Sequence, residues 1–200
     1  MRPEFVQEQL FRLRSARVHE VEGRGRRAFA LFQAAHHAGP LIWILPPRAR
    51  HLPMLRGLPE GVGQRLHVIR PITEIDLLWT VEEALRSPAV GLVIAEPSSQ
   101  LSLTAGRRLQ LAAETGQTTG VMLIREGQGS NAAETRWHCD PIASTDIASA
   151  DHDSTLHHWS LNKNKKGTTG SWILHWNGAT AAFNLVSEAG QRHHAAEASG

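Results

Sequence analysis

Residues 91–125, GLVIAEPSSQLSLTAGRRLQLAAETGQTTGVMLIR, carry a strand–helix–strand pattern, and this pattern decides the fold class of the chain. Two short apolar runs, residues 91–95 and 120–125, enclose a segment with helical spacing of its apolar residues. Ser102 supplies a capping side chain where that segment starts, and Gly116 ends it. Strands that alternate with helices in this way are typical of a parallel sheet covered by helices.

The same alternation extends towards the N-terminus. Three further apolar runs predict strands at residues 18–22, 41–45 and 66–70. A helix is predicted over residues 28–38, and another starts at Thr73, where Asp76 follows three residues later as in a capping box. We expect this helix to turn Ile75, Leu78, Trp79 and Leu85 towards the sheet, and the helix after Ser102 to turn Leu109, Leu111 and Ala112 inward.

Beyond Arg125 the pattern changes to short antiparallel strands. They are predicted at residues 135–139, 156–161, 171–176 and 181–186, with a hairpin around Asn177-Gly178. The predicted fold is therefore α/β: a mostly parallel core flanked by helices, with a small C-terminal antiparallel β extension. The expected organisation is an N-terminal helical segment (1–16), the core (17–126), the extension of the same domain (132–187) and a disordered tail (188–200).

Composition excludes several classes of protein. The chain has 200 residues, 41% of them hydrophobic and 20% charged, and no apolar run long enough to cross a bilayer. We expect no secretory signal, and the single cysteine, Cys139, fits a reducing cytoplasm. The net charge of +2 conceals an uneven distribution: residues 1–70 hold 12 basic and five acidic side chains, and the remainder nine and 14. The N-terminal part is therefore the one expected to attract an acidic partner or a polyanion.

The turn after the first predicted strand, Gly23-Arg24-Gly25-Arg26-Arg27-Ala28, lies where α/β proteins often hold phosphate on a helix N-terminus. It is too short for a nucleoside triphosphate loop and lacks the required Lys and Ser/Thr. Gly23-x-Gly25-x-x-Ala28 does match a dinucleotide fingerprint, with Arg48 available for the 2′-phosphate of NADP. The charged side chains of residues 18–22 argue against it, because a central strand should be almost entirely apolar. A tight turn beside exposed arginines is the simplest alternative.

The chain resembles the ImuA family of RecA-related bacterial proteins. The resemblance lies in four stretches: RVHEVEG at residues 17–23; LWTVEEALRS at 78–87 with the strand at 90–96; LTAGRRLQLAAE at 103–114 with the strand at 119–125; and Thr135-Arg136-Trp137 with Ser171-Trp172. It covers about residues 15–187. The third stretch is the most specific.

This resemblance implies a RecA-like core and a non-catalytic accessory role in SOS-induced translesion DNA synthesis. The implied partners are an ImuB-like Y-family polymerase homologue, the RecA filament, an error-prone replicative-type DNA polymerase and, directly or indirectly, DNA. ATP hydrolysis is not expected, because the loop carries Arg26 and Arg27 and only Glu96 could imitate a metal-side carboxylate. No cofactor is expected. A SulA-like division inhibitor and an NADP-binding enzyme remain as alternatives.

Several side chains are candidates for partner or DNA contact, each with a simpler explanation. Arg24, Arg26 and Arg27 suit bidentate contacts with phosphate or carboxylate, and Arg107 and Arg108 are either solvated or in contact with a partner. Trp172 and Trp176 share one face of a strand, which is either a cover of the core or an exposed platform. Trp43 and Trp79 are expected in the core.

The chain's 12 histidines invite a metal hypothesis that geometry opposes. The adjacent pairs His36-His37, His157-His158 and His193-His194 diverge on a helix or a strand, so no pair is expected to chelate one ion. Cys139 has no CxxC partner and is expected to be a plain thiol.

Overall fold

A computed structural model of the chain describes residues 10–51, 57–143, 154–177 and 182–188. Residues 189–200 of the predicted tail, residues 1–9 of the N-terminal segment and the polar stretch at 144–153 lie outside these ranges, whereas Glu188 ends the last described strand. The elements in chain order are β1 (Val18–Glu22), α1 (Arg26–His36), β2 (Leu41–Ile44), α2 (Val62–Arg65), β3 (Leu66–Ile69), α3 (Glu74–Arg86), β4 (Leu92–Ala95), α4 (Leu103–Gly116), β5 (Thr119–Leu123), β6 (Thr135–Ile142), β7 (Ser154–Asn164), β8 (Gly170–Asn177) and β9 (Ala182–Glu188).

The nine strands of the described residues form one sheet in the order β3-β2-β4-β5-β1-β6-β7-β8-β9. Strands β1 to β5 are parallel, β6 pairs in parallel with β1, and β6 to β9 are antiparallel to one another. The predicted α/β class, with parallel strands followed by antiparallel ones, is confirmed. Within the described ranges, no helix combines the length and the apolar character that a membrane span requires.

Helix α1 covers one face of the sheet with an aromatic core. Phe29 and Phe32 pack on Trp159, with ring centroids 4.9 and 5.4 Å apart. Trp159 comes from β7, so the antiparallel strands share this core with the parallel half. Phe11, which precedes β1, contacts the same tryptophan edge-on.

Helices α3 and α4 cover the opposite face. The predicted capping box is present at α3: Thr73 Oγ1 accepts from the Asp76 amide at 3.1 Å, and Asp76 Oδ2 accepts from the Thr73 amide at 3.2 Å. Ser102 likewise caps α4 by accepting from the Ala105 amide at 3.1 Å. Local sequence therefore predicted where both helices begin.

The predicted inward faces of these helices were partly wrong. Ile75 and Trp79 are 81% and 63% exposed, whereas the predicted Leu85 is buried and Leu78 is half-buried. Helix α3 also buries Leu77 and Val81, which the periodicity did not select. On α4, Leu111 is exposed while Leu109 is buried. Helix α3 is apolar on more than one side, so its periodicity alone could not determine which stripe faces the sheet.

The expectation that a central strand is almost entirely apolar was also wrong. Strand β1 lies in the middle of the sheet between β5 and β6, and all five of its residues are buried. Its charged side chains are tolerated because each has a partner on a neighbouring element. Arg136 of β6 donates from Nε to Glu20 Oε2 at 3.0 Å, and the Gly127 amide donates to Glu22 at 2.9 Å.

Candidate functional site at the β1–α1 turn

The turn between β1 and α1 is pressed against the backbone of β6. Gly23 has φ of +90°, and a Cβ atom placed on it would lie 2.4 Å from the Cys139 carbonyl oxygen. At Gly25 the same distance would be 3.0 Å, and the Gly25 amide donates to that oxygen at 2.7 Å. The close approach of β6 therefore requires glycine at position 23 and leaves little room for a side chain at position 25. One amide of the turn is already used by the protein itself.

A carboxylate of β6 takes a second amide of the turn. The Arg24 amide donates to Asp140 Oδ1 at 2.8 Å, and the Arg24 guanidinium Nε lies 3.6 Å from the same oxygen while its side chain is 79% exposed. The amides that precede a helix commonly attract an anion. Here the protein supplies that anion from its own strand.

Asp140 is also held by an imidazole. His138 Nε2 lies 3.0 Å from Asp140 Oδ2, and His138 Nδ1 lies 3.6 Å from Glu22 Oε1. Burial raises the pKa of Asp140, but hydrogen bonds from the Arg24 amide and His138 outweigh it and lower the pKa. Burial lowers the pKa of His138, but the hydrogen bond with Asp140 and the nearby carboxylates outweigh it and raise the pKa. The two groups therefore favour an imidazolium–carboxylate pair at the turn.

Glu96 follows β4, and both of its carboxylate oxygens accept hydrogen bonds from protein groups. Arg27 donates to it through both arms of its guanidinium, from Nε to Oε1 at 3.0 Å and from Nη2 to Oε2 at 2.9 Å. Trp43 of β2 adds an indole hydrogen bond to Oε1 at 2.9 Å. Glu96 is 7% exposed, so a bidentate arginine neutralises a buried carboxylate. The one carboxylate predicted to imitate a metal ligand is thus satisfied by protein groups.

Arg26 turns back on the turn as well. Its Nη1 donates to the Gly23 carbonyl at 3.0 Å, while its buried Nε has no hydrogen-bond partner. Of the predicted arginine cluster, only Arg24 is exposed, and Arg27 is committed to Glu96. The amides of Arg24 and Gly25 and the side chains of Arg26 and Arg27 are occupied by protein groups. With these groups occupied, and with no lysine or hydroxyl side chain in the turn, the residues present do not fit a bound nucleotide.

The remaining predicted contact residues lie elsewhere. Arg107 and Arg108 are exposed on α4, on the opposite face of the sheet from α1, and Arg108 pairs with Glu82 at 2.6 Å. Trp172 is 8% exposed, with its ring 5.7 Å from that of Trp137, so the platform hypothesis is wrong for this residue. Trp176 is half-buried and packs 4.8 Å from the Phe183 ring.

The metal hypothesis for the histidines and the expected plain thiol of Cys139 can be compared with the described ranges. There, no group of three or more His, Cys, Asp or Glu side chains could hold a metal ion. His157 and His158 point in different directions: the first packs on Phe183, and the second lies 2.5 Å from Ser171 Oγ. Burial, followed by the charge of Asp140, raises the pKa of Cys139 well above its ordinary value, which disfavours the nucleophilic thiolate. The pair at 193–194 lies outside the described residues.

Sequence reasoning missed Asp140 and His138 as partners of the turn, and Trp43 as a partner of Glu96. A signal for two of them was available. Arg136, His138 and Asp140 alternate along β6 and therefore share a face, just as Glu20 and Glu22 do on β1. The parallel register pairs Glu20 with Arg136 and Glu22 with His138, and so brings the two charge patterns together. The fingerprint Gly23-x-Gly25-x-x-Ala28 lies in the loop, whereas the signal for these partners lies in the register of β1 and β6.

Comparison with known proteins adds evidence of ancestry. No model of a protein family matches the chain. Two curated relatives, both named Protein ImuA and from two strains of Caulobacter vibrioides, are 30% identical to it over 168 residues. The match covers 75% of this chain and 67% of each relative.

Proposed function

Because the chain belongs to the ImuA family, we propose that it is a non-catalytic accessory protein of damage-induced mutagenesis. In this role it brings an ImuB-like polymerase homologue and an error-prone DNA polymerase to RecA or to DNA during SOS-induced translesion synthesis. The relatives support the general process. The division of labour among these partners is our proposal.

The observation that carries the non-catalytic part is the Arg27–Glu96 pair. A nucleotide-hydrolysing site needs free backbone amides for phosphate, a lysine for the terminal phosphates and carboxylates for a metal and a water. At this turn the Cys139 carbonyl accepts a hydrogen bond from the Gly25 amide, and the Asp140 carboxylate accepts one from the Arg24 amide. The Glu96 carboxylate after β4 is paired with the Arg27 guanidinium. These contacts support a protein that acts by binding partners.

The same contacts weigh against the NADP alternative. A dinucleotide fingerprint uses its second glycine to let the pyrophosphate approach the backbone. In this chain the backbone of β6 lies beside that glycine, with the Cys139 carbonyl oxygen 2.7 Å from the Gly25 amide. The glycine pattern thus has a structural explanation within the fold.

Deletion and complementation test the proposed process. In the source organism, deletion of the gene should abolish the rise in mutation frequency after ultraviolet or mitomycin treatment, and the wild-type gene should restore it. Unchanged induced mutagenesis in the deletion strain would overturn the proposal. Filamentation on overproduction, with mutagenesis unaffected, would instead favour a division inhibitor.

Ligand titration tests the non-catalytic part separately. A fluorescent ATP analogue and NADPH, each titrated at micromolar concentration, should show no saturable binding to the purified protein. Saturable binding that Gly25→Asp abolishes, and that the exposed-site control Arg125→Ala retains, would show a functional nucleotide site. Release of phosphate from ATP by such a protein, abolished by the same substitution, would then refute the non-catalytic assignment even if the mutagenesis phenotype were present.

A further inference from the structure

A cavity of about 250 Å³ lies between the first turns of α1 and the antiparallel strands. Its described lining consists of two α1 residues, one loop residue and one residue from each of β7, β8 and β9: Ala28, Leu31, Gly57, His157, Trp176 and Phe183. No lysine, arginine or carboxylate is part of this described lining. An apolar cavity of about 150 Å³ holds a benzene ring, so this cavity has room for one substituted aromatic ring.

His157 brings an unpartnered polar group to this lining. The residue is 7% exposed, and its Nδ1 atom is completely buried without a hydrogen-bond partner. Nδ1 lies beside the β1–α1 turn, where a Cβ atom placed on Gly25 would be 3.3 Å from it. In the part of the chain that the structure describes, Nε2 forms no hydrogen bond either. Buried polar groups of native proteins are nearly always paired, so this imidazole lacks a partner that a ligand can supply.

The two ring nitrogens of His157 differ in accessibility. Nδ1 is enclosed beside Gly25, whereas Nε2 is not completely buried and is therefore the nitrogen that can reach a ligand in the cavity. Burial lowers the pKa of His157, so the imidazole is neutral at pH 7. A neutral imidazole offers one donor and one acceptor, and the tautomer decides which role Nε2 takes. It therefore suits an uncharged hydroxyl or N–H group.

The rest of the lining favours an aromatic ligand with few polar atoms. The Phe183 ring lies edge-on to His157, with centroids 5.1 Å apart, and 4.8 Å from the ring of Trp176. Such rings pack well on another ring, edge-to-face or offset. A nucleobase carries several donors and acceptors, most of which would stay unpaired in this apolar lining. An anion would find no cation among the described lining residues.

We propose that this cavity binds a neutral aromatic ring with a single hydrogen-bonding group, a phenol or an indole, and that this group bonds His157 Nε2. The ring comes from outside the chain. The sequence has no tyrosine, and all six tryptophans lie in the described residues, where Trp176 is the one that lines the cavity. The source is either a side chain of a protein partner or a free small molecule. This inference goes beyond the proposed function and does not depend on it.

Two probes isolate the hydrogen bond: p-cresol, the analogue of a tyrosine side chain, and toluene, which lacks only the hydroxyl group. Each is titrated into the full-length protein and followed by NMR. The p-cresol should bind saturably and about three- to tenfold more tightly than toluene, and it should shift the ring ¹⁵N resonances of His157. His157→Phe should lower the affinity for p-cresol to that for toluene and leave the affinity for toluene unchanged.

A second substitution fills the cavity. Ala28→Leu adds an isopropyl group at the cavity wall and should abolish saturable binding of both probes. The matched control is Ala35→Leu, the same change at an exposed position of α1 outside the described lining, which should bind both probes as the wild type does. Circular dichroism and thermal unfolding show whether each variant is folded. If Ala28→Leu does not fold, the comparison of the two probes in His157→Phe decides.

A competition experiment separates the two sources of the ring. If the ring is a side chain of the ImuB-like partner of the proposed function, p-cresol should compete with that purified protein, and Ala28→Leu should weaken the complex. If the ring belongs to a free compound, the complex should be unaffected while p-cresol still binds the cavity.

Three results would overturn the inference. The first is that neither probe binds the wild type saturably, and the second is that p-cresol and toluene bind it with equal affinity. The third is that His157→Phe binds p-cresol as tightly as the wild type does. All three leave the proposed function standing, because that function is judged by the mutagenesis phenotype.

Discussion

Replacement of Gly23 by alanine tests whether strand β6 shapes the turn after β1. Gly23 has φ of +90°, and an added Cβ atom would lie 2.4 Å from the Cys139 carbonyl oxygen, closer than real Cβ atoms approach. Either the turn or β6 must move. The movement strains the 2.7 Å hydrogen bond from the Gly25 amide to the same oxygen.

The magnitude follows from these contacts. The positive φ costs alanine about 1–2 kcal/mol, and the lower entropy of the unfolded alanine chain offsets about 0.4–1 kcal/mol of that cost. A buried Gly25 amide without its acceptor adds about 1–3 kcal/mol. We therefore expect Gly23→Ala to lower the free energy of unfolding by roughly 2–4 kcal/mol.

Two other glycines separate the two causes. Gly61 also has positive φ, +74°, but a Cβ atom added there would meet none of the described residues within 4 Å. Gly61→Ala should therefore cost about 1 kcal/mol or less. Gly25 has an ordinary φ of −86°, and a Cβ atom added to it would lie 3.0 Å from the Cys139 oxygen. Gly25→Ala therefore measures the cost of the close contact with β6 without the cost of a positive φ. Urea unfolding followed by circular dichroism gives each free energy. Equal costs for Gly23→Ala and Gly61→Ala would refute the role assigned to β6.

Four further substitutions test ionisable groups in β1 and around the turn. Burial lowers the pKa of His19 to about 4 from 6.5. The free energy of unfolding should therefore fall by roughly 3 kcal/mol as the pH falls from 7 to 4, because the unfolded chain binds a proton that the folded one does not. His19→Gln should remove that part of the pH dependence, as measured by urea unfolding. Arg27→Ala leaves buried Glu96 without its guanidinium partner and should lower the free energy of unfolding by about 2–3 kcal/mol. Arg24→Ala, at an exposed arginine, should stay within about 1 kcal/mol of wild type. Equal shifts of the thermal midpoint in the two variants would contradict this. Asp140→Asn should destabilise more at pH 5 than at pH 9, because the lowered pKa of Asp140 and the raised pKa of its partner His138 leave both groups charged only at a pH between those two pKa values.

Much of the fold was predictable because strands and helices here follow local patterns. The apolar run at 91–95 became β4, and Thr73 with Asp76 marked the start of α3. The alternation of strands and helices also implied a parallel sheet. These features depend on residues within a few positions of one another, which the sequence displays directly.

The position of β1 was not predictable from its own residues. Its charges suggested that it was not a central strand, yet it pairs with β5 on one side and β6 on the other. Glu20 is acceptable there only because Arg136, distant along the chain, lies opposite it in the register. A buried charge is tolerated only where a partner compensates it, and long-range strand pairing decides which residue that partner is.

The exposed face of α3 illustrates the same limit. Ile75 and Trp79 form an apolar stripe as regular as the one that the helix buries, and periodicity treats the two alike. Only the packing of α3 on the sheet beside α4 shows which stripe remains exposed.

The sequence by itself determined the α/β class, the helix starts and the lack of a complete nucleotide-hydrolysing set of residues at the turn. The tertiary structure decided what the turn does instead. Asp140 reaches the Arg24 amide, and Glu96 reaches Arg27, from strands that are distant in sequence. Residue type limits which chemistry is available, because it sets the donors, acceptors and charges. Whether these groups form hydrogen bonds with one another depends on distances of about 3 Å between donor and acceptor, and only the folded chain establishes those distances.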